Sequence, residues 1–294
     1  MEISGIRAGR CLTGHLDIDL GDLQLHAAIS GSGHPLLLLH GFTGSVETWS
    51  PLRPELETEY RVVAIDLPGH GRSSSPPDPG RYSLRRFAPD LVRVLDEIGV
   101  GRATVIGYSM GGRAALHLAA AHPDRVAGLI LESTSAGVSD PELRKARAES
   151  DAELAAFIER QGIAAFVDRW EMLPLWESQT SLPASTRAAL RAQRLENNAT
   201  GLANSLRGAG AAVDPLSESE LAGISAATLL VAGDLDAKYV GIARQLAHSI
   251  AHARVTVIPD AGHAVHLERP RAMVDAVLEF LSGHVPVRAD TPGV

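Results

Sequence analysis

At 294 residues the chain can hold one large domain or two and bury a sizeable core, and its 45% apolar and 21% charged content is that of ordinary soluble globular proteins. Its 27 basic and 35 acidic residues leave a net charge of −8, which argues against nucleic acid or an anionic membrane as a partner. One cysteine, Cys11, excludes an internal disulfide framework and suits a reducing compartment, and no Cys/His cluster has zinc-ligand spacing.

Residues 1–22 read as an N-terminal extension and first strand. Residues 1–12 have no apolar core of signal-peptide length, and no stretch approaches the ~20 apolar residues of a membrane span, so a cytoplasmic setting is expected. Residues 16–20 and 23–29 flank Gly21-Asp22 as an antiparallel hairpin. The wholly apolar run 36–39 predicts a strand buried on both faces, ending in the turn His40-Gly41-Phe42-Thr43-Gly44. A helix is expected over 46–56 with Trp49 and Leu52 inward, then a buried strand over 61–66. Ser83 opens a further helix, with Leu84, Phe87, Leu91, Val94, Leu95 and Ile98 at helical spacing.

The next stretch organises the rest. A β-branched run, 103–106, meets Gly107-Tyr108-Ser109-Met110-Gly111 and then an Ala/Leu-rich helix over 113–121. Strand, sharp turn and helix put the serine in a strained conformation whose neighbours two before and two after must be small. A strand follows over 126–132. Strands alternating with helices predict an α/β fold: a mostly parallel sheet flanked by helices. That rhythm breaks from 133 to about 221, a stretch rich in Ala, Arg and Glu without a buried-strand run, which reads as a helical lid insertion (137–221) between two parts of one core (23–136 and 222–283). It resumes with a strand over 227–232 ending in Gly233-Asp234-Leu235-Asp236, a helix over 239–250 and a strand over 254–258. The loop Pro259-Asp260-Ala261-Gly262-His263 and a last helix with Pro270 in its first turn follow, and 284–294 reads as a frayed tail.

In an open parallel sheet, reactive groups gather in loops at the carboxyl ends of strands. Four such loops carry Phe42, Ser109, Asp236 and His263. A serine hydroxyl needs an imidazole to take its proton, and the imidazole needs a carboxylate to fix its tautomer. The expected catalytic set is therefore Ser109, His263 (over His266 and His70) and Asp236 (over its neighbour Asp234). The backbone N–H groups of Phe42 and Met110 would form the oxyanion hole, with His40 bracing that loop. Arg113, one helical turn after Ser109, reads either as a solvated surface arginine or as the reader of an anionic substrate group.

These motifs together resemble the α/β-hydrolase superfamily over residues 23–281. Several segments are similar to one family within it, the 2-succinyl-6-hydroxy-2,4-cyclohexadiene-1-carboxylate synthases of menaquinone biosynthesis. They are His40-Gly41-Phe42-Thr43-Gly44-Ser45, the serine turn extended through Gly112-Arg113, Glu132-Ser133-Thr134-Ser135-Ala136-Gly137, Asp168-Arg169-Trp170-Glu171-Met172-Leu173-Pro174-Leu175-Trp176, Gly233-Asp234-Leu235-Asp236-Ala237-Lys238-Tyr239 and Ala261-Gly262-His263-Ala264-Val265-His266-Leu267-Glu268. The resemblance implies a lyase that removes pyruvate from a 5-enolpyruvyl precursor without a metal or organic cofactor. It also implies a small polycarboxylate substrate held by Arg113 and by lid residues matching Arg147, Arg194 and Trp170, with Tyr108 in the pocket wall and Arg144, Arg169 and Arg191 as neighbours that could exchange places with the lid arginines. The alternative on the same fold is a serine hydrolase, a carboxylesterase or a C–C bond hydrolase. The extension before residue 20 is longer than the resemblance explains.

Overall fold

The computed structural model describes residues 13–284. Cys11, most of the N-terminal extension and the tail beyond 284 lie outside the described residues. Eight strands form one sheet: β1 (Gly14–Asp19), β2 (Gln24–Ser30), β3 (His34–Leu39), β4 (Tyr60–Ile65), β5 (Ala103–Tyr108), β6 (Val126–Glu132), β7 (Thr228–Gly233) and β8 (Ala253–Ile258). Their order is β1-β2-β4-β3-β5-β6-β7-β8, antiparallel across β1/β2 and β2/β4 and parallel elsewhere.

The central strands are apolar on both faces because helices cover both. Leu37 and Leu39 of β3, with Val63, Val105 and Leu129, pack one way, against α2 (Leu84–Glu97), α3 (Met110–Ala121) and α8 (Ala237–Ser249). Leu36 and Leu38, with Val62, Ile106 and Ile130, pack the other way, against Trp49, Leu52 and α10 (Pro270–His284). The two-residue period of a strand thus splits one leucine run between two cores.

The helix expected over 46–56 is instead a 3-10 turn, Val46–Trp49, and a separate short α1 (Arg53–Leu56). Pro51 has no N–H to carry a helical ladder past Ser50, and Pro54 sits where a helix tolerates it, in a first turn. Trp49 and Leu52 are nonetheless fully buried, as their spacing predicts.

Between β6 and β7 the chain runs through α4 (Pro141–Glu171, bent at Gly162), a 3-10 stretch (Pro174–Ser181), α5 (Ala184–Leu195), α6 (Ala199–Ala209) and α7 (Glu218–Ala222). Ala155, Ile158 and Phe166 of α4 and Leu202 and Ala203 of α6 form a small core of their own, against which Phe42 packs. The remaining short helix, α9 (Val265–Glu268), follows the His263 loop.

Three buried histidines make this packing pH-sensitive. Burial pulls His40 down to about 4, His70 to about 3 and His117 to about 4, the last with help from the Arg113 charge. The His40 Nδ1–H donates to the Gly41 carbonyl (2.8 Å) and its Nε2 accepts the Leu67 N–H (2.9 Å), a pattern only the neutral ring supports. The unfolded chain binds these protons near pH 6.5 and the folded chain does not, so their stabilisation is complete above pH 6.5 and lost as the pH falls toward 4. It is at most roughly 3 kcal/mol each for His40 and His117 and roughly 5 kcal/mol for His70. Asp66 and Asp151, raised by burial, work in the opposite sense and blunt the loss. Thermal melts should show Tm falling steeply between pH 6.5 and 4; a flat Tm across that range would contradict neutral burial.

Candidate active site

Ser109 stands between β5 and α3 at φ 50°, ψ −109°, outside the regions side chains prefer. The conformation is held from three sides. Its N–H donates to the Glu132 carbonyl (2.8 Å), and its own carbonyl accepts from the Thr134 hydroxyl (2.7 Å) and the Arg113 N–H (3.2 Å). Close approach explains the two glycines of the motif. A Cβ on Gly107 would stand 2.5 Å from the Gly112 Cα, and one on Gly111 would stand 2.0 Å from the Leu39 carbonyl oxygen.

The turns after β7 and β8 bring the other two groups to Ser109. Asp236 caps α8, one oxygen accepting the Tyr239 N–H (3.2 Å) and the other lying 2.7 Å from His263 Nδ1. The opposite ring nitrogen, Nε2, is 3.2 Å from Ser109 Oγ. A carboxylate can only accept here, so Nδ1 carries the proton and Nε2 is left to receive the one on serine. His266 instead meets Glu132, and His70 meets the Pro68 carbonyl, so neither competes for Ser109. Neither the Phe42 nor the Met110 backbone N–H has an acceptor among the described residues, and Met110 is the first residue of α3. Donors of this kind suit developing negative charge. The Phe42 ring packs edge-on to Trp170 (5.4 Å) and Phe166 (6.0 Å), so one residue presents both a donor and a wall.

Two buried carboxylates that the local sequence pattern does not reveal hold the histidine loop. Glu268 accepts the N–H groups of Gly262 (2.7 Å) and Ala264 (3.3 Å), the residues on either side of His263. Glu132 accepts both the backbone N–H (3.0 Å) and the ring Nδ1–H (2.9 Å) of His266, while its own carbonyl holds Ser109. One residue at the end of β6 therefore ties the serine turn to the histidine loop. A charge read against residues 134 positions away has no periodic signature.

Ser109 and His263 open into a cavity of about 410 Å³, with Tyr108 and Trp170 in its walls. Arg113 lines it but is neither solvated nor free. It is 5% exposed, and its two Nη groups donate to the carbonyls of Ala209 (2.6 Å) and Val213 (2.8 Å). Burial, with the nearby Arg147 charge, lowers its pKa to about 10, still well above neutrality. Two carbonyls fix the guanidinium without cancelling its charge. Arg147 also lines the cavity, but its Nε donates to both oxygens of Asp151 (2.8 and 2.9 Å).

Arg194 does not line this cavity. It is buried over the Trp176 ring (5.4 Å), bonded to Glu171 (3.0 Å), and borders a neighbouring space of about 600 Å³ that shares Phe42, Tyr108 and Trp176 as walls. The reason lies in α5, which carries Arg194 on the side of that second space. Arg169 and Lys238 do line the serine's cavity. Among the described residues no group of three or more His, Cys, Asp or Glu could hold a metal ion, and no helix is long and apolar enough to cross a membrane.

Comparison with known proteins follows the same lines. A family model described as the alpha/beta hydrolase fold matches residues 34–270. A Bacillus subtilis (strain 168) protein, provisionally named 2-succinyl-6-hydroxy-2,4-cyclohexadiene-1-carboxylate synthase, is 40% identical over 247 residues, spanning 84% of this chain and 90% of that protein. The synthase of that name from Enterobacter sp. (strain 638) is 32% identical over 246 residues, 84% of this chain and 91% of its own. Among solved structures, MenH from S. aureus superposes with a TM-score of 0.84 at 33% identity, covering 88% of this chain and 98% of that one.

Proposed function

The chain belongs to the alpha/beta hydrolase fold family and, within it, to the 2-succinyl-6-hydroxy-2,4-cyclohexadiene-1-carboxylate synthases, and from that premise we propose how its residues carry out the reaction. It is a lyase of menaquinone biosynthesis: pyruvate leaves 2-succinyl-5-enolpyruvyl-6-hydroxy-3-cyclohexene-1-carboxylate to give the cyclohexadiene product. The observation that carries the assignment of roles is the hydrogen-bonded run Ser109–His263–Asp236 opening on a cavity whose wall holds the un-neutralised charge of Arg113.

Ser109 Oγ, relieved of its proton by His263 Nε2, removes the proton on the ring carbon next to the succinyl ketone. The electron pair left behind moves onto the ketone oxygen, where the N–H groups of Phe42 and Met110 stabilise it. Its return through the ring double bond breaks the C–O bond to the enolpyruvyl group. The imidazolium, steadied by Asp236, returns a proton to the departing enolpyruvate, which tautomerises to pyruvate. Arg113 and Arg147 face the substrate carboxylates, for which a guanidinium fork is suited. Trp170 and Tyr108 bound the ring, and Arg194 supports the Trp176 wall from behind. Residues 137–221 act as the lid that keeps water from the enolate.

The test supplies the enolpyruvyl precursor and, separately, p-nitrophenyl acetate. Rapid pyruvate release from the first with slow hydrolysis of the second is expected. Efficient ester turnover without pyruvate release would replace the lyase with a serine hydrolase.

A further inference from the structure

Of the 27 basic residues in the chain only two are lysines, Lys145 and Lys238; every other cationic position is arginine. A lysine kept against so strong a preference is worth a physical account, and Lys238 stands in the first turn of α8, two residues after Asp236. A cation there faces the positive end of the helix, an arrangement that local stability disfavours. Among the described residues it has no carboxylate within 4.0 Å to compensate; its ammonium lies 5.6 Å from the Tyr239 ring centre, and that ring in turn packs edge-on against His263 (4.5 Å).

The other cations of the cavity sort by what already holds them. Arg113 is engaged by carbonyls and Arg147 by Asp151. Arg169, in the last turn of α4, has no ion-pair partner among the described residues and lies over the Phe157 ring (4.9 Å). Lys238 and Arg169 are exposed as well as cavity-lining, which places them at its opening. The carboxylates of the lining are Asp151, paired with Arg147, and Glu153, against Arg113, Arg147, Arg169 and Lys238, so positive charge dominates the lining.

We propose that Lys238 and Arg169 together hold an outward-facing carboxylate of the substrate at the cavity mouth, leaving Arg113 and Arg147 to its other carboxylates. This rests on the polycarboxylate lyase reading above. A compact ammonium with three rotatable donors suits a carboxylate that must be captured and then released beside the triad. The same charges steer an anionic substrate towards a protein whose net charge is −8.

The experiment measures binding of the enolpyruvyl precursor to Ser109→Ala, which cannot consume it, with and without Lys238→Met or Arg169→Met, at 0.05 and 0.5 M salt. Each added change should raise Kd about tenfold at low salt, as loss of a charge-assisted contact does, and by less at high salt. Lys145→Met, on α4 and outside the cavity lining, should leave Kd as it was. Melting temperatures of all variants separate loss of contact from loss of fold. Kd values within twofold of the parent at both salt concentrations would overturn the assignment of Lys238 and Arg169 alone. Absence of pyruvate release from the wild-type enzyme would instead overturn the reaction on which it rests.

Discussion

Ser109→Ala should lower kcat for pyruvate release by at least about 10³-fold while shifting Tm by no more than a few degrees. The hydroxyl reaches both His263 Nε2 and the cavity, at 3.2 Å from the ring nitrogen. In the proposed mechanism the imidazole then has no intermediary to the substrate carbon, and the binding groups and the proposed oxyanion donors are left to supply the residual rate. The fold should not notice. The strain at φ 50° is set by the Cβ that serine and alanine share, and the bonds that hold the turn are made by the main chain of Ser109 to Glu132, Thr134 and Arg113. A kcat within tenfold of wild type, on a protein that melts normally, would remove serine from the mechanism.

Alanine at Gly111 is expected to act in the reverse order, on structure first and on rate as a consequence. The added Cβ would stand 2.0 Å from the Leu39 carbonyl oxygen, 2.4 Å from its carbon and 2.5 Å from the His40 oxygen. All three belong to main chain at the end of β3, a central strand hydrogen-bonded on both sides, so neither element can give way cheaply. A loss of about 3 kcal/mol or more is expected, roughly 10 °C in Tm for a domain of this size. Activity should fall as well, because Phe42 lies just past β3 and Met110 starts α3, so pushing the two apart separates the paired N–H donors. Gly241→Ala is the control. That residue is an exposed helical glycine of α8 with nothing within 4 Å of the added carbon, and alanine there should be neutral or stabilising by up to about 1 kcal/mol. Equal melting temperatures for the two variants would refute the close approach.

The geometry at Gly111 and Ser109 marks how much of the site is written locally. Gly-x-Ser-x-Gly after a β-branched run and before an alanine-rich helix specifies a strained serine at a strand end. A capping aspartate after 227–232 and a Gly-His loop after 254–258 supply its partners, and all three meet within hydrogen-bonding reach. The helix expected over 46–56 failed for an equally local reason, since Pro51 interrupts its ladder. The arginines behaved differently. Arg113 lies on the helix face that its spacing implies, yet what it touches is the carbonyl of Ala209 and that of Val213, about a hundred residues on. Arg194 borders a different cavity, and Lys238 and Arg169 take the open positions.

From the amino-acid order alone came the alternation of strands and helices, the serine turn and the choice of Asp236 and His263 as the side chains that meet Ser109, because backbone periodicity and turn chemistry are set by neighbours a few positions apart. Only the tertiary structure decided which cations are spoken for, that Glu132 and Glu268 hold the histidine loop, and which cavity each side chain between β6 and β7 faces. Long charged side chains have many rotamers and no periodic constraint of their own, so their partners are chosen by whichever distant segment packs beside them.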